Sequence, residues 1–401
     1  MFARSEDRTD TVRPMKARKR LTWTAVTARR MARSHLTRPA ENASPADIAA
    51  ALCGVHAQIL TAAELSIGRR IAGATRADVP RALWDERTLV KTFGPRGTVH
   101  LLAAADLPMW TGALSALPSS TPQHPDPVRF TPDQAEEVIA AIGDSLAGSP
   151  LTVDELTLAI RERLGTWAVE ETMDAFQVKW PRWRQLTSTA AHRGVLCFGP
   201  ASGRNVTYTN PRTWLPSFRG PADGDGAART LLTSYLHAYG PATPQHFARW
   251  LAIPPRDASE LFAAAAGAVE PVDFDGEPAW VAAGDTATPS EAHRGVRLLP
   301  YFDAFVVAGQ PRERLFPGAA MARAAARGQA GNYPVMLIDG VVGGVWHARR
   351  SGRKLQITVE PIEPLTAKHR RELDDEAKLV GAVTEATPTL TVGSVTVGPH
   401  A

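Results

Sequence analysis

The sequence predicts an α+β fold: three successive units of helices followed by a β-hairpin, then a β-rich C-terminal region. Three observations carry this. Helical apolar spacing followed by two short strand-like runs around a turn occurs three times along the 401 residues. Stretches rich in Pro or Gly at 118–127 and 216–226 separate the repeats. From about residue 296 the texture changes to short β runs punctuated by Gly and Pro. Repetition of one supersecondary unit points to a tandem array.

The first unit spans 21–116. Ala25, Val26, Arg29, Met31 and Ala32 belong to one amphipathic stretch. Ser44-Pro45-Ala46-Asp47 reads as an N-cap with Pro in the first turn, and the helix it starts runs through Ile48 and Leu52 towards Gly54. Helices are expected over 61–71 and 77–86, and strands over 89–93 and 97–102 around Gly94-Pro95. Helices followed by a hairpin is winged-helix order. In the second unit, 128–216, Thr152 with Glu155 three residues on forms a capping box. A helix over 183–192 precedes strands over 194–199 and 205–209. The third unit, 226–285, has helical runs over 228–239 and 258–267 with Thr243-Pro244-Gln245-His246-Phe247 between them. Its strands, 269–274 and 278–281, flank Asp275-Gly276, a strong hairpin turn. In the C-terminal domain, 290–401, the runs 296–299, 304–308, 335–338, 341–347 and 354–360 read as strands of a small barrel. A charged amphipathic helix over 366–380 and a strand over 390–397 complete it. Residues 1–20 read as a disordered basic arm.

Composition narrows the function classes. Hydrophobic content of 44% and charged content of 21% describe an ordinary soluble globular chain. No apolar run approaches the roughly 18 residues that span a bilayer, and the charged N-terminus lacks the apolar core of a secretory signal. Two cysteines, Cys53 and Cys197, exclude a disulfide scaffold and a cysteine-rich metal or iron–sulfur site. A cytoplasmic chain without cofactor or metal is expected. The net charge of +4 rests mostly on arginine, which pairs well with phosphate. High Arg, Ala, Gly and Pro content also follows from a GC-rich genome, so charge alone does not establish nucleic-acid binding.

Four short motifs stand out: Gly54-Val55-His56-Ala57-Gln58, Arg96-Gly97-Thr98-Val99-His100, Leu299-Pro300-Tyr301-Phe302-Asp303, and Asp339-Gly340 followed by Gly343-Gly344-Val345-Trp346. Together with the helix–helix–wing pattern, and in this order, they resemble the bacterial tandem winged-helix DNA glycosylases, the AlkZ-like and YcaQ-like proteins. The resemblance covers about residues 21–360. It implies three winged-helix units and a β-rich end arranged in a C shape around duplex DNA. It also implies hydrolysis of the N-glycosidic bond of alkylated purines. In that family the catalytic motif is Gln-x-Gln in the self-resistance branch and Gln-x-Asp in the YcaQ branch. The matching positions here are His56 and Gln58; the second fits the self-resistance branch and the first departs from it. That branch is associated with producers of antibiotics that alkylate guanine N7, such as azinomycin, trioxacarcin and the pluramycins, including hedamycin.

The chemistry of such a site follows from the lesion. A purine alkylated at N7 is cationic and departs as a neutral molecule, so it needs no general acid. What remains is to place a water beside C1′ and to stabilise an oxocarbenium-like sugar, which fixed dipoles do well. The amide oxygen of Gln58 suits both tasks. In an extended segment His56 and Gln58 share a face, and a neutral imidazole of ordinary pKa about 6.5 can hold the same water and accept its proton. A charged His56 would repel the cationic base, so the neutral form is expected to be active. Arg96, Thr98 and His100 support the site either directly or, the blander reading, by shaping the hairpin. Asp303 orients a catalytic group, helps position DNA, or forms a structural ion pair; Trp346 reads as core. No lysine lies in the catalytic stretch, Lys91 being the nearest, which favours monofunctional hydrolysis over a Schiff-base lyase.

A duplex carrying N7-alkylguanine is the expected partner, bound by a monomer. Arg204 and Asn205, at a hairpin turn, are candidate minor-groove probes, with an ordinary exposed tip as the alternative. Arg29, Arg30, Arg69 and Arg70 are candidate phosphate contacts, or else a solvated helix face. The competing function class is a winged-helix regulator that binds DNA without chemistry, which would dimerise on half-sites about one helical turn apart.

Overall fold

The computed structural model describes residues 18–120, 124–126, 128–175, 178–292, 294–325, 331 and 333–398. Within these, one order of elements occurs three times. A helix leads into a short extended segment, two further helical segments follow, and a hairpin closes the unit. In the first unit helix Pro45–Ala51 leads into strand Val55–His56, then helix Leu60–Gly68, then hairpin strands Leu89–Phe93 and Val99–Ala103. In the second, helix Pro132–Ser145 leads into Leu151–Thr152, helices Val153–Leu164 and Thr187–His192 with an extra hairpin, Glu171–Ala175 and Val178–Pro181, inserted between them, and strands Cys197–Ser202 and Asn205–Thr209. In the third, helix Gly224–Tyr239 leads into the extended residue Ala242, helices Pro244–Leu251 and Pro255–Ala264, and strands Val269–Phe274 and Glu277–Ala282. Each time the short segment pairs antiparallel with the second hairpin strand: Val55 with Leu101, Leu151 with Tyr208, Ala242 with Trp280.

Local chemistry sets the boundaries. The Ser44 and Thr152 hydroxyls each accept a backbone N–H from three residues on, and their own backbone N–H groups donate to the carboxylates of Asp47 and Glu155. At Asp275-Gly276 both residues have positive φ, 52° and 95°, as a two-residue hairpin requires. The expected helix over 77–86 is present as a continuous helical segment, α-helical over Asp78–Pro80 and widened to π-helix over Arg81–Asp85, where the Glu86 amide bonds the Arg81 carbonyl at 3.0 Å.

The C-terminal region is a five-stranded curled sheet, in the order Val296–Leu299, Val335–Ile338, Val341–Ser351, Lys354–Pro361 and Thr387–Val392. Among the described residues its outer strands do not pair with one another, so the small barrel expected is a half-barrel. Helix Ala367–Thr384 makes the crossover to the last, parallel strand and buries Leu373, Ala377, Val380 and Val383 against the sheet. The run 304–308, expected as a strand, is a helix. Asp303 caps it by accepting the Phe305 amide at 3.1 Å, and that cap outweighs the strand preference of Val306 and Val307.

The expected basic arm is also corrected at its end. Residues 1–17 lie outside the described residues, but Arg20–Leu21 form a parallel strand on Val269–Phe274 of the third unit. Core packing joins elements distant in sequence. One apolar core runs through the first and third units, from Ile48, Ile67 and Leu102 to Leu231, Phe247 and Phe262. The second unit has its own core around Trp183, Ile142 and Ile160. The C-terminal sheet takes Met31, Leu36 and Leu65 of the first unit into its two cores.

Candidate active site

Gly54 sets the strand entry. Its φ is +90°, a conformation that side chains with a Cβ rarely adopt, and a Cβ there would lie 2.9 Å from Leu102 Cδ2 of the hairpin, which would have to shift. The next two residues pair with Leu101 and His100, which buries His56 to 8% exposure. The strand ends there, and Gln58 lies beyond it at a bend, exposed. The two side chains therefore do not share a strand face as expected, because the extended segment is only two residues long. His56 points into the protein and Gln58 is presented to solvent.

Phe302 stacks on the His56 ring at 4.5 Å between centroids, and His100 meets it edge-on at 5.2 Å. Phe302 comes from the C-terminal region and has a positive φ of 56°. Its neighbour Asp303 holds it there. The fully buried carboxylate takes a bidentate pair from Arg70 at 2.7 and 2.8 Å and a bond from Ser66 Oγ at 2.8 Å. Burial alone would push the Asp303 carboxyl up, but the charge and hydrogen bonds of Arg70, with Ser66, outweigh it and hold it below the usual carboxylate range. Of the roles considered for Asp303, the structure shows the ion pair, and that pair positions Phe302 on His56. Trp346, buried as expected, donates from Nε1 to the Leu299 carbonyl at 2.8 Å and fixes the start of the same segment. Motifs far apart in sequence thus meet at one seam between the first unit and the C-terminal sheet.

Burial first, and then the Arg96 charge, lowers the His56 pKa from 6.5 to about 4. His56 is therefore neutral at physiological pH, but a much weaker base than its ordinary pKa suggests. Its Nδ1 has no hydrogen-bond partner among the described residues. His100 is pushed well below its ordinary value by burial, His56 and Arg96, and its Nδ1 bonds the Thr98 carbonyl at 2.8 Å. Arg96 sits at φ +61° in the hairpin turn and donates to the Trp250 carbonyl of the third unit at 2.7 Å. Thr98 Oγ1 donates to the Pro95 carbonyl at 3.0 Å. The Arg96–His100 run is thus a scaffold, with an electrostatic reach to His56.

The four paired arginines are not phosphate contacts. Arg29, Arg30, Arg69 and Arg70 are 1%, 3%, 2% and 0% exposed. Arg29 binds Asp285, Arg30 the Gln310 and Pro241 carbonyls, Arg69 Glu376, and Arg70 Asp303. They tie the first unit to the third unit and to the C-terminal region. Arg204 and Asn205 lie at an exposed hairpin tip. Two contributors escaped the sequence reading: Ser66, which has no motif, and Phe302, which lies in a recognised motif but received no role.

A helix-and-hairpin array is closed by a curled sheet, with a His-x-Gln pair at their seam, and its relatives place the protein among the DNA glycosylases. A profile of the DNA glycosylase AlkZ-like family matches residues 49–383, and the chain belongs to that family. It is 31% identical over 335 residues to an interstrand DNA cross-link repair glycosylase of Streptomyces sahachiroi, covering 81% of this chain and 87% of that protein. The solved structure of the S. sahachiroi DNA glycosylase AlkZ superposes with a TM-score of 0.79 at 28% identity, covering 93% of this chain and all of that one. Among the described residues no helix is long and apolar enough to cross a membrane.

Proposed function

We propose that the protein is a monofunctional glycosylase that hydrolyses the N-glycosidic bond of N7-alkylated guanine in duplex DNA. Bulky natural-product adducts of the azinomycin, trioxacarcin or pluramycin type are its substrates, and base excision of them gives antibiotic self-resistance. It acts as a cytoplasmic monomer without a cofactor, with its three helix-and-hairpin units serving as winged helices around the duplex. The observation that carries this reading is the exposed carboxamide of Gln58 two residues from a buried, neutral His56. Gln58 holds the water and lies against the positive charge that develops on the sugar. His56, neutral and buried behind it, keeps positive charge away from a cationic base; at a pKa of about 4 it is too weak a base to take the proton outright near neutral pH.

Two further observations support parts of this. Lys91 extends over the Phe198 ring at 4.8 Å, towards the second unit rather than His56, which fits hydrolysis without a Schiff base. The exposed tip carrying Arg204 and Asn205 suits a probe of the minor groove. Incubation with duplexes carrying defined guanine-N7 adducts, followed by alkaline cleavage and mass analysis, tests the reading. Release of the intact alkylated base and an abasic site are expected; no release from any adduct would sink it.

A further inference from the structure

The conformation of Phe302 is one that folding alone does not explain. Its φ of 56° lies in the left-handed region, which a bulky side chain rarely enters. Core burial does not offset that cost: Phe305 and Phe316, of the same region, are 4% and 1% exposed, whereas Phe302 is only half-buried. Strained backbone of this kind persists where the surroundings impose it, and it clusters at functional sites.

Three contacts impose it here. The next residue, Asp303, is locked by Arg70 and Ser66. Gly331 lies so close that a Cβ there would come within 2.3 Å of Phe302 Cδ1. The ring itself stacks on His56, 4.5 Å between centroids and 28° between planes. Half-buried and stacked on an imidazole that is 8% exposed, Phe302 stands at the boundary between His56 and solvent.

The charges around His56 leave water as the one group that would favour a proton on it. His100 comes from the partner strand and Arg96 from the hairpin turn, and Arg96 opposes a second positive charge. The Asp303 carboxylate is already paired with Arg70. Tyr239, close to Arg96 and Asp303, and Cys53, close to Tyr239, are kept neutral by burial. We propose that Phe302 is a positioning residue for excision: its ring keeps water off His56, so that the imidazole beside Gln58 stays uncharged against a cationic base. The proposal rests on the glycosylase reading above and adds to it the residue that governs the protonation of the site. The low pKa of His56, about 4 with burial as its first cause, accords with such a cover.

Phe302→Gly tests it. Glycine suits the left-handed backbone, so the ring is lost while the segment keeps its conformation. Phe302→Leu retains an apolar cover. Single-turnover excision from an N7-methylguanine duplex is measured at pH values from about 5 to 8, and the His56 ring is titrated by NMR, which needs no catalysis. Phe302→Gly is expected to lose about tenfold in rate between pH 8 and pH 5, as an imidazole titrating near 6 would, with the His56 signals titrating inside that range. Wild type and Phe302→Leu are expected to be flat. A Phe302→Gly protein whose His56 stays neutral at pH 5, or whose rate is lowered equally at every pH, overturns the cover and leaves the glycosylase standing. A wild type that excises nothing, while Phe302→Gly raises the His56 titration, overturns the glycosylase and leaves the cover.

Discussion

At His56 three influences act in one direction. Burial strips the ring of water, Phe302 covers one face at 4.5 Å, and the Arg96 charge opposes a second positive charge. A base whose folded pKa is lowered to about 4 stays neutral throughout the range above it. Excision limited by this residue is therefore expected to be flat from about pH 5 to 8 and to fall only below that. Single-turnover rates on N7-methylguanine duplex check this, and an inflection near 6.5 would mean that the ring is not buried in the working enzyme. Substitution separates the pair: Gln58→Ala is expected to lower the excision rate by about 10²-fold, the scale of removing one preorganised dipole, with DNA affinity retained. His56→Gln restores the Gln-x-Gln pattern and is expected to stay within about tenfold of wild type, since positioning needs a dipole rather than a base. A His56→Gln loss as deep as that of Gln58→Ala would show that the imidazole itself is required. The proposed pair was legible in the sequence as a motif. The pKa was not, because it depends on which distant side chains bury the ring.

At the scale of elements, the seam is held by few contacts of high consequence. Asp303 caps its own helix, pairs with Arg70 and takes the Ser66 hydroxyl, so one carboxylate fixes the Phe302 segment to helix Leu60–Gly68. Asp303→Ala leaves the Arg70 guanidinium buried without its counter-charge, a loss of about 3–5 kcal/mol. Both Tm and excision are expected to fall, whereas Ser66→Ala, which removes one neutral donor, should cost about 1 kcal/mol. Thermal melts with excision assays check the pair, and an Asp303→Ala protein melting like wild type would remove Asp303 from the seam. Elements with local signals were legible: the caps at Ser44 and Thr152, the Asp275-Gly276 turn, and the hairpin strands. Elements decided by tertiary partners were not. Val306 and Val307 suggested a strand until the Asp303 cap was seen, and Arg-Arg pairs on helices resemble a solvated face unless their carboxylates, from Asp285 to Glu376, are known.

Across the whole molecule, the threefold repeat was legible because each unit repeats the same local signals. The shared core of the first and third units was not, since it joins helix Leu107–Ala116 to Gly224–Tyr239 across the intervening second unit. This arrangement gathers histidines at the contacts between units. His56 and His100 face the C-terminal region, and His192 lies near Gly94 of the first wing. His246 caps a third-unit helix. Burial lowers the pKa of His56, His192 and His246 to about 4 and that of His100 well below 6.5. The unfolded chain binds protons at these four sites near pH 6.5 and the folded one does not, so their stabilising contribution is present above 6.5 and is lost as pH falls towards 4. Glu64 and Asp106, whose carboxyls burial pushes up, act in the opposite sense, but at the lower edge of that window. Each pKa unit corresponds to about 1.4 kcal/mol, and a chain of this size loses only a degree or two of Tm per kcal/mol. The melting temperature is therefore expected to drop by roughly 5–10 °C between pH 7 and pH 5. Replacing His192 by Asn, which removes the titration but keeps a polar side chain, should shrink that drop by about a quarter, since one of four sites is gone. Calorimetry at both pH values on wild type and His192→Asn decides the matter. An equal Tm at pH 5 and 7 would show that these imidazoles are solvated in the folded protein and that the units do not close over them.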